Sequence, residues 1–170
     1  PDGGLVIRYC DFIGSDTRRW EDAVKCMGNG GYDTGPNRNA DIYGNFFFCC
    51  NDDGIELDGG QQNVRCFRNR FEEALMGCSI QYNQTSPSYV YENLFSGLGT
   101  EFWHIGSAIK TSSIDGFHQG AASFVFRNVF MGPASEKYAG CDMTANQYTS
   151  RLSVKNNLSV GKGNAVRPPT

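Results

Sequence analysis

The segment NDDGIELDGG, residues 51–60, carries the carboxylates Asp52, Asp53, Glu56 and Asp58, with Ile55 and Leu57 alternating among them as in a strand. If the segment is extended, Glu56 and Asp58 project to the same side, with Cβ atoms roughly 6.5–7 Å apart. That spacing suits a general acid and a general base for inverting glycoside hydrolysis, whose carboxyls stand about 6.5–9.5 Å apart. It suits equally a Ca²⁺ site made by Asp53, Glu56 and Asp58, because a hard cation takes carboxylate oxygens. The competing reading is a solvated turn and strand edge, since Asp and Gly dominate tight turns.

What positions these carboxylates is a repeat. The segments IRYCDF (7–12), IYGNFF (42–47), CFRNRF (66–71), VYENLF (90–95), VFRNVF (125–130) and SVKNNL (153–158) share one template, with Cys10, Asn45, Asn69, Asn93, Asn128 and Asn156 in its fourth position. An Asn amide bonds backbone groups in a tight turn and tolerates left-handed geometry, and stacked amides bond one another. After each of these segments comes a small residue followed by alternating apolar and polar ones: AVKC (23–26), GIEL (54–57), GCSI (77–80), AIKT (108–111), GCDM (140–143) and AVRP (165–168). Recurring strand signals and an Asn column predict an all-β solenoid of about six coils, a single domain over 1–170. Val24, Ile55, Cys78, Ile109, Cys141 and Val166 then form an inward apolar column at roughly 4.8 Å per step.

The outward residues of the same strands form two polar columns. Lys25, Glu56, Ser79, Lys110, Asp142 and Arg167 make one, and Asp58 and Gln81 stand in the other. Coils one, four and five carry extra residues just before this face, in SDTRRWE, LGTEFWHI and GPASEKY. These loops set Arg18, Arg19, Trp20, Trp103 and His104 at its edge, and over-long loops are where solenoids carry function. An aromatic face covers the apolar side of a pyranose while charged groups bond its hydroxyls or carboxylate. Trp20, Arg18, Arg19, Ser79, Gln81, Trp103 and Lys25 are therefore expected to bind a sugar chain. Glu56, Asp58, Lys110 and His104 are the candidate catalytic groups, a neutral imidazole being suited to proton transfer.

Composition narrows the partner. The chain is 39% hydrophobic, enough for a core, and its 15 Lys and Arg are scattered in a molecule of net charge −3, which gives no nucleic-acid footprint. No apolar run approaches the length of a membrane span. A start at Pro1 and an end in AVRPPT suggest an incomplete part of a longer solenoid. The seven cysteines match no zinc spacing, and Cys66, Cys78 and Cys141 fall where small apolar side chains pack, so most are read as buried free thiols.

The CFRNRF and DDGIELDGG segments, with repetition across nearly the whole chain, resemble the right-handed parallel β-helix repeats of the pectate-lyase-like superfamily. The resemblance implies a secreted or cell-surface carbohydrate-active protein that binds and cleaves an acidic polysaccharide, as a lyase or a hydrolase. It implies, for a lyase, Lys110 or Lys25 as base, with Arg18, Arg19 or a cation near Glu56 and Asp58 neutralising the uronate. The Gly-His-Gly and Arg-Ile-Lys signatures of the galacturonan hydrolases are absent, the histidines standing in WHIG and FHQG. The alternative within the same fold is a noncatalytic glycan-binding or structural solenoid of adhesin, tailspike or stalk type.

Overall fold

The turn marked by the Asn column is made by two residues acting together. In the computed structural model, which describes residues 3–25, 38–80, 85, 87–99, 106–111, 121–132, 138–142, 151–161 and 164–167, the residue before each column member is left-handed. Tyr9, Gly44, Arg68, Glu92, Arg127 and Asn156 have φ between 53° and 65°. The left-handed geometry expected of the Asn itself is thus taken by its predecessor, and the Asn supplies the amide. Asn69 Oδ1 accepts the backbone N–H and the Nδ2–H of Asn45, both at 3.0 Å. Its own Nδ2 donates to the Ile42 carbonyl at 2.9 Å and to Asn93 Oδ1 at 3.1 Å.

The same links run from Asn93 to Asn128 and from Asn128 to Asn157. The last member is therefore Asn157 and not Asn156, a slip of one residue in the sequence alignment. The pairing of Val125 with Val154 sets the register, and Asn156 fills the left-handed position.

On either side of these turns lie short strands in three sheets, every pairing parallel. The first sheet contains β1 (Val6–Arg8), β3 (Asp41–Tyr43), β6 (Val64–Phe67), β9 (Ser88–Tyr91), β12 (Ser123–Phe126) and β15 (Leu152–Lys155), in that order. The second contains β2 (Asp11–Ile13), β4 (Phe46–Phe48), β7 (Arg70–Glu72), β10 (Leu94–Ser96), β13 (Val129–Met131) and β16 (Leu158–Val160). The third contains β5 (Asp53–Glu56), β8 (Met76–Ser79), β11 (Gly106–Lys110), β14 (Tyr138–Asp142) and β17 (Asn164–Arg167). Each successive repeat adds one strand to each sheet. The predicted column is in register: Ile55 pairs with Cys78, Cys78 with Ile109, Ile109 with Cys141 and Cys141 with Val166, and Val24 bridges Ile55.

The core is built of identical positions on neighbouring strands. Phe12, Phe47, Phe71 and Phe95 stack with ring centroids 4.7–4.8 Å apart, and Phe130 continues the row at 5.7 Å. Ile42, Cys66, Val90 and Val125 of the first sheet and Ile55, Cys78 and Ile109 of the third have no exposed surface. Stacking like on like fills space evenly because parallel strands in register repeat the same shape at each step. Cys49, Cys50, Cys66 and Cys78 are buried free thiols, whereas Cys10 is exposed; the side chains of Cys26 and Cys141 lie outside the described residues. Among the described residues no helix is long and apolar enough to cross a membrane.

Candidate functional site

The pairing of the third sheet is interrupted at its small residues, and the interruption decides which side chains share the polar face. Paired positions run Asp53 to Met76 and then Ile55 to Cys78, skipping Gly54 and Gly77, and they skip Ala108 in the same way. A Cβ on Gly54 would come within 2.7 Å of the Phe71 ring and 2.8 Å of the Gly77 carbonyl, so this position faces the core. Ile55 faces the core as well. Two consecutive inward residues break the alternation of a straight strand, and as a result Asp53 and Glu56 both project outward, on the side of Lys110.

The groups gathered there bond one another. Lys110 Nζ donates to Asp53 Oδ2 at 2.7 Å and stands 3.8 Å from Asp52 Oδ1. Lys25 Nζ bridges Asp22 Oδ2 at 2.9 Å and Glu56 Oε2 at 3.0 Å. The Ser79 hydroxyl donates to Asp58 Oδ1 at 2.6 Å, and Asp22 Oδ1 accepts the Asp53 backbone N–H at 3.1 Å. The carboxylates here are not in water, as the competing reading of a solvated turn and strand edge would have them: Asp53 is 1% exposed, Glu56 4% and Asp58 2%, with Ser79 at 0%. Alternation along a strand tells which side a residue takes, not how much protein covers that side.

Burial sets the electrostatics. It drives the Asp53 carboxyl well above the ordinary carboxylate range, against the opposing charge and hydrogen bond of Lys110. Burial also works to lower the Lys110 pKa, but the attraction and hydrogen bond of Asp53, with Asp52 and Asp58 adding to them, outweigh it and keep the ammonium charged. Lys25 is likewise raised, chiefly by its hydrogen bonds to Asp22 and Glu56.

Carboxylate oxygens of Asp22, Asp52 and Asp53 lie within 4.8 Å of one another, and Asp53 Oδ1 has no hydrogen-bond partner among the described residues. The metal set expected from sequence was Asp53, Glu56 and Asp58. Geometry groups Asp53 with Asp22 and Asp52 instead, and lysine ammoniums already neutralise this corner. Asp22 escaped notice in the sequence although a signal was present. WEDAVK aligns with NDDGIE through the bridge of Val24 to Ile55, which makes Asp22 the counterpart of Asp53 in the preceding repeat.

Beside this array lies an open cleft of about 430 Å³, lined by Asp16, Thr17, Arg18, Arg19, Glu21 and Asn51. A tight turn shapes it: Ser15 and Arg18 exchange backbone hydrogen bonds at 3.0 and 3.1 Å. Arg19 is anchored, Nη1 donating to the Glu73 carbonyl at 2.9 Å with Asp16 at 3.6 Å. The Arg18 guanidinium makes no ion pair among the described residues. Trp20 bridges Cys50 through its backbone, and 45% of its surface is exposed. The cleft adjoins the buried array through the chain itself, because Asp52 N–H donates to the Glu21 carbonyl and Ala23 N–H to the Asp53 carbonyl.

Of the residues expected to form the site, Arg18 and Arg19 thus line one cleft and Trp20 follows them in the chain, while Lys25, Asp53, Glu56 and Lys110 are linked through Asp22 next to it and Ser79 bonds Asp58. Gln81, Trp103 and His104 lie outside the described residues. Comparison with protein-family models, with curated proteins and with solved structures gives no match to this chain.

Proposed function

We propose that the chain is a right-handed parallel β-helix that binds an acidic polysaccharide, with Arg18, Arg19 and Trp20 as the contact residues and the buried Asp53 and Lys110 array as the rigid floor behind them. The observation that carries this reading is the open cleft: a guanidinium with no ion pair among the described residues, Arg18, stands two residues from a half-exposed indole. A carboxylate-bearing pyranose needs both, a cation for its charge and an aromatic surface for its C–H side. The parallel, in-register addition of one strand to each of three sheets per repeat supports the β-helix assignment.

A second reading, cleavage as well as binding, draws on Asp53. A carboxyl whose pKa burial raises is what a general acid requires, and Glu56 and Asp58 share its face. Lys110 favours binding over a lyase reaction, because an ammonium bonded to a carboxylate at 2.7 Å is a weak base.

Calorimetric titration with oligogalacturonate, oligomannuronate and neutral galactan oligomers tests the proposal. Binding of an acidic oligomer alone, weakened about tenfold or more in Arg18→Ala, is the expected result. Equal binding of neutral and acidic oligomers, or none of either, overturns it. Incubating the acidic oligomer and following reducing ends and unsaturated uronate absorbance decides between binding and cleavage.

A further inference from the structure

The outer face of the first sheet carries two aromatic columns. Tyr43, Phe67, Tyr91 and Phe126 stack with centroids 4.8–5.0 Å apart and planes within 11° of parallel. Tyr89 and Phe124 stack beside them at 5.4 Å and 13°. Stacked rings hide their faces in one another and turn only their edges outward, so the middle of this face is no platform for a sugar. The end of the columns differs. On the far side of β12, Phe124 pairs with Ser153 and Phe126 with Lys155. Neither partner carries a ring, and a groove of about 340 Å³ opens, lined by Phe124, Phe126, Arg127, Ser153, Lys155 and Asn156.

The charged residues that line this groove are both cations. Lys155 is exposed and makes no ion pair among the described residues, and Arg127 holds only a long contact, 3.6 Å, with Glu92. Ring faces flanked by two cations, in a volume within the range of small-molecule sites, match a planar or ring-shaped anion. We propose that this groove is a second subsite for a uronate residue, its C–H face on Phe124 and Phe126 and its carboxylate between Arg127 and Lys155. The assignment rests on the acidic-polysaccharide reading above. It extends that reading to a different sheet and to the fifth and sixth repeats, whereas the cleft of Arg18 belongs to the first.

Titration of the whole chain with trigalacturonate, followed by calorimetry and by backbone amide shifts, separates the two sites. Lys155→Glu is the main variant because its side chain is exposed and supports no other contact described above; Arg127→Ala is the second. Shifts at residues 124–127 and 153–156 that vanish in Lys155→Glu while those at residues 16–21 persist are expected, with affinity at this groove falling at least tenfold. Neutral trigalactose should leave residues 124–127 and 153–156 unmoved. Shifts confined to residues 16–21 overturn the second subsite and leave the proposed function standing. Shifts confined to residues 124–127 and 153–156 overturn the cleft and keep this groove. Equal shifts with trigalactose, or no shifts at either place, overturn the uronate assignment.

Discussion

Lys110 Nζ lies 2.7 Å from Asp53 Oδ2, although the two residues are 57 positions apart and a whole repeat stands between them. The lysine reaches across the strand of Ser79 to a carboxylate that has almost no contact with solvent. Removing one partner of such a pair leaves the other charge buried and unmet, which costs about 3–5 kcal/mol. Lys110→Met should therefore destabilise the chain strongly in urea, and Asp53→Asn combined with Lys110→Met should recover most of the loss. A double variant as unstable as the sum of the two single ones would show that the ion pair is not the relevant interaction.

The same carboxylate gives stability a pH slope. Asp53 has a folded pKa raised by burial, so between its unfolded value, about 3.9, and its higher folded value the folded state binds more protons than the unfolded one. Stability falls as pH rises through that window, and the loss is complete above the folded pKa. Urea midpoints of the parent should decline as pH rises above the unfolded value of about 4 more than those of Asp53→Asn. Parallel profiles for the two proteins would contradict the raised pKa.

Along the amide column, Asn93 Nδ2 donates to the Cys66 carbonyl and to Asn128 Oδ1, while Asn93 Oδ1 receives the Asn69 donors. Asn93→Asp keeps the shape and the acceptor but loses both donations and buries a charge, for a cost of about 3 kcal/mol. The two adjacent Asn of the last repeat should respond differently. Asn157→Ala strands the Asn128 donors and should cost about 2 kcal/mol. Asn156→Gly occupies a left-handed site that glycine accepts and should change stability by less than about 0.5 kcal/mol. Thermal melts that reverse this order would return Asn156 to the column.

Thiol reactivity should follow burial. Burial, the leading cause, pushes the Cys50 thiol up to about 12 and the fully enclosed Cys78 well above its ordinary value. Cys10 lies on the surface. A maleimide pulse on the native chain, mapped by peptide mass, should label Cys10 within minutes and leave Cys50, Cys66 and Cys78 unmodified until denaturant is added. Native labelling of Cys78 would mean that the third sheet has been turned inside out.

Period was the legible part of this molecule. Cys78 and Ile109 could be stacked on Ile55 from sequence because the alternation of small, apolar and polar residues recurs in each repeat, and parallel pairing preserves it. Asn156 was misplaced because NN in one repeat satisfies the template in two ways, and only the partner strand chooses between them. The joint outward projection of Asp53 and Glu56 could not be read from alternation, since it follows from two consecutive inward positions, and the Phe71 and Phe95 rings that a Cβ on Gly54 or Gly77 would meet belong to another sheet. Arg18, Arg19 and Trp20 were singled out from loop length alone, a signal that marks where a chain departs from its own repeat.

Because, among the described residues, every strand pairs only with those of the repeats before and after it, opening one repeat breaks strand pairing with no more than two others. Stability in such an array sums over interfaces between neighbours. Amide hydrogens should then exchange in a graded series along the chain, slowest where both neighbouring interfaces are dry. The repeats of Phe71 and Phe95 have buried rings stacked on either side and would be the last to exchange.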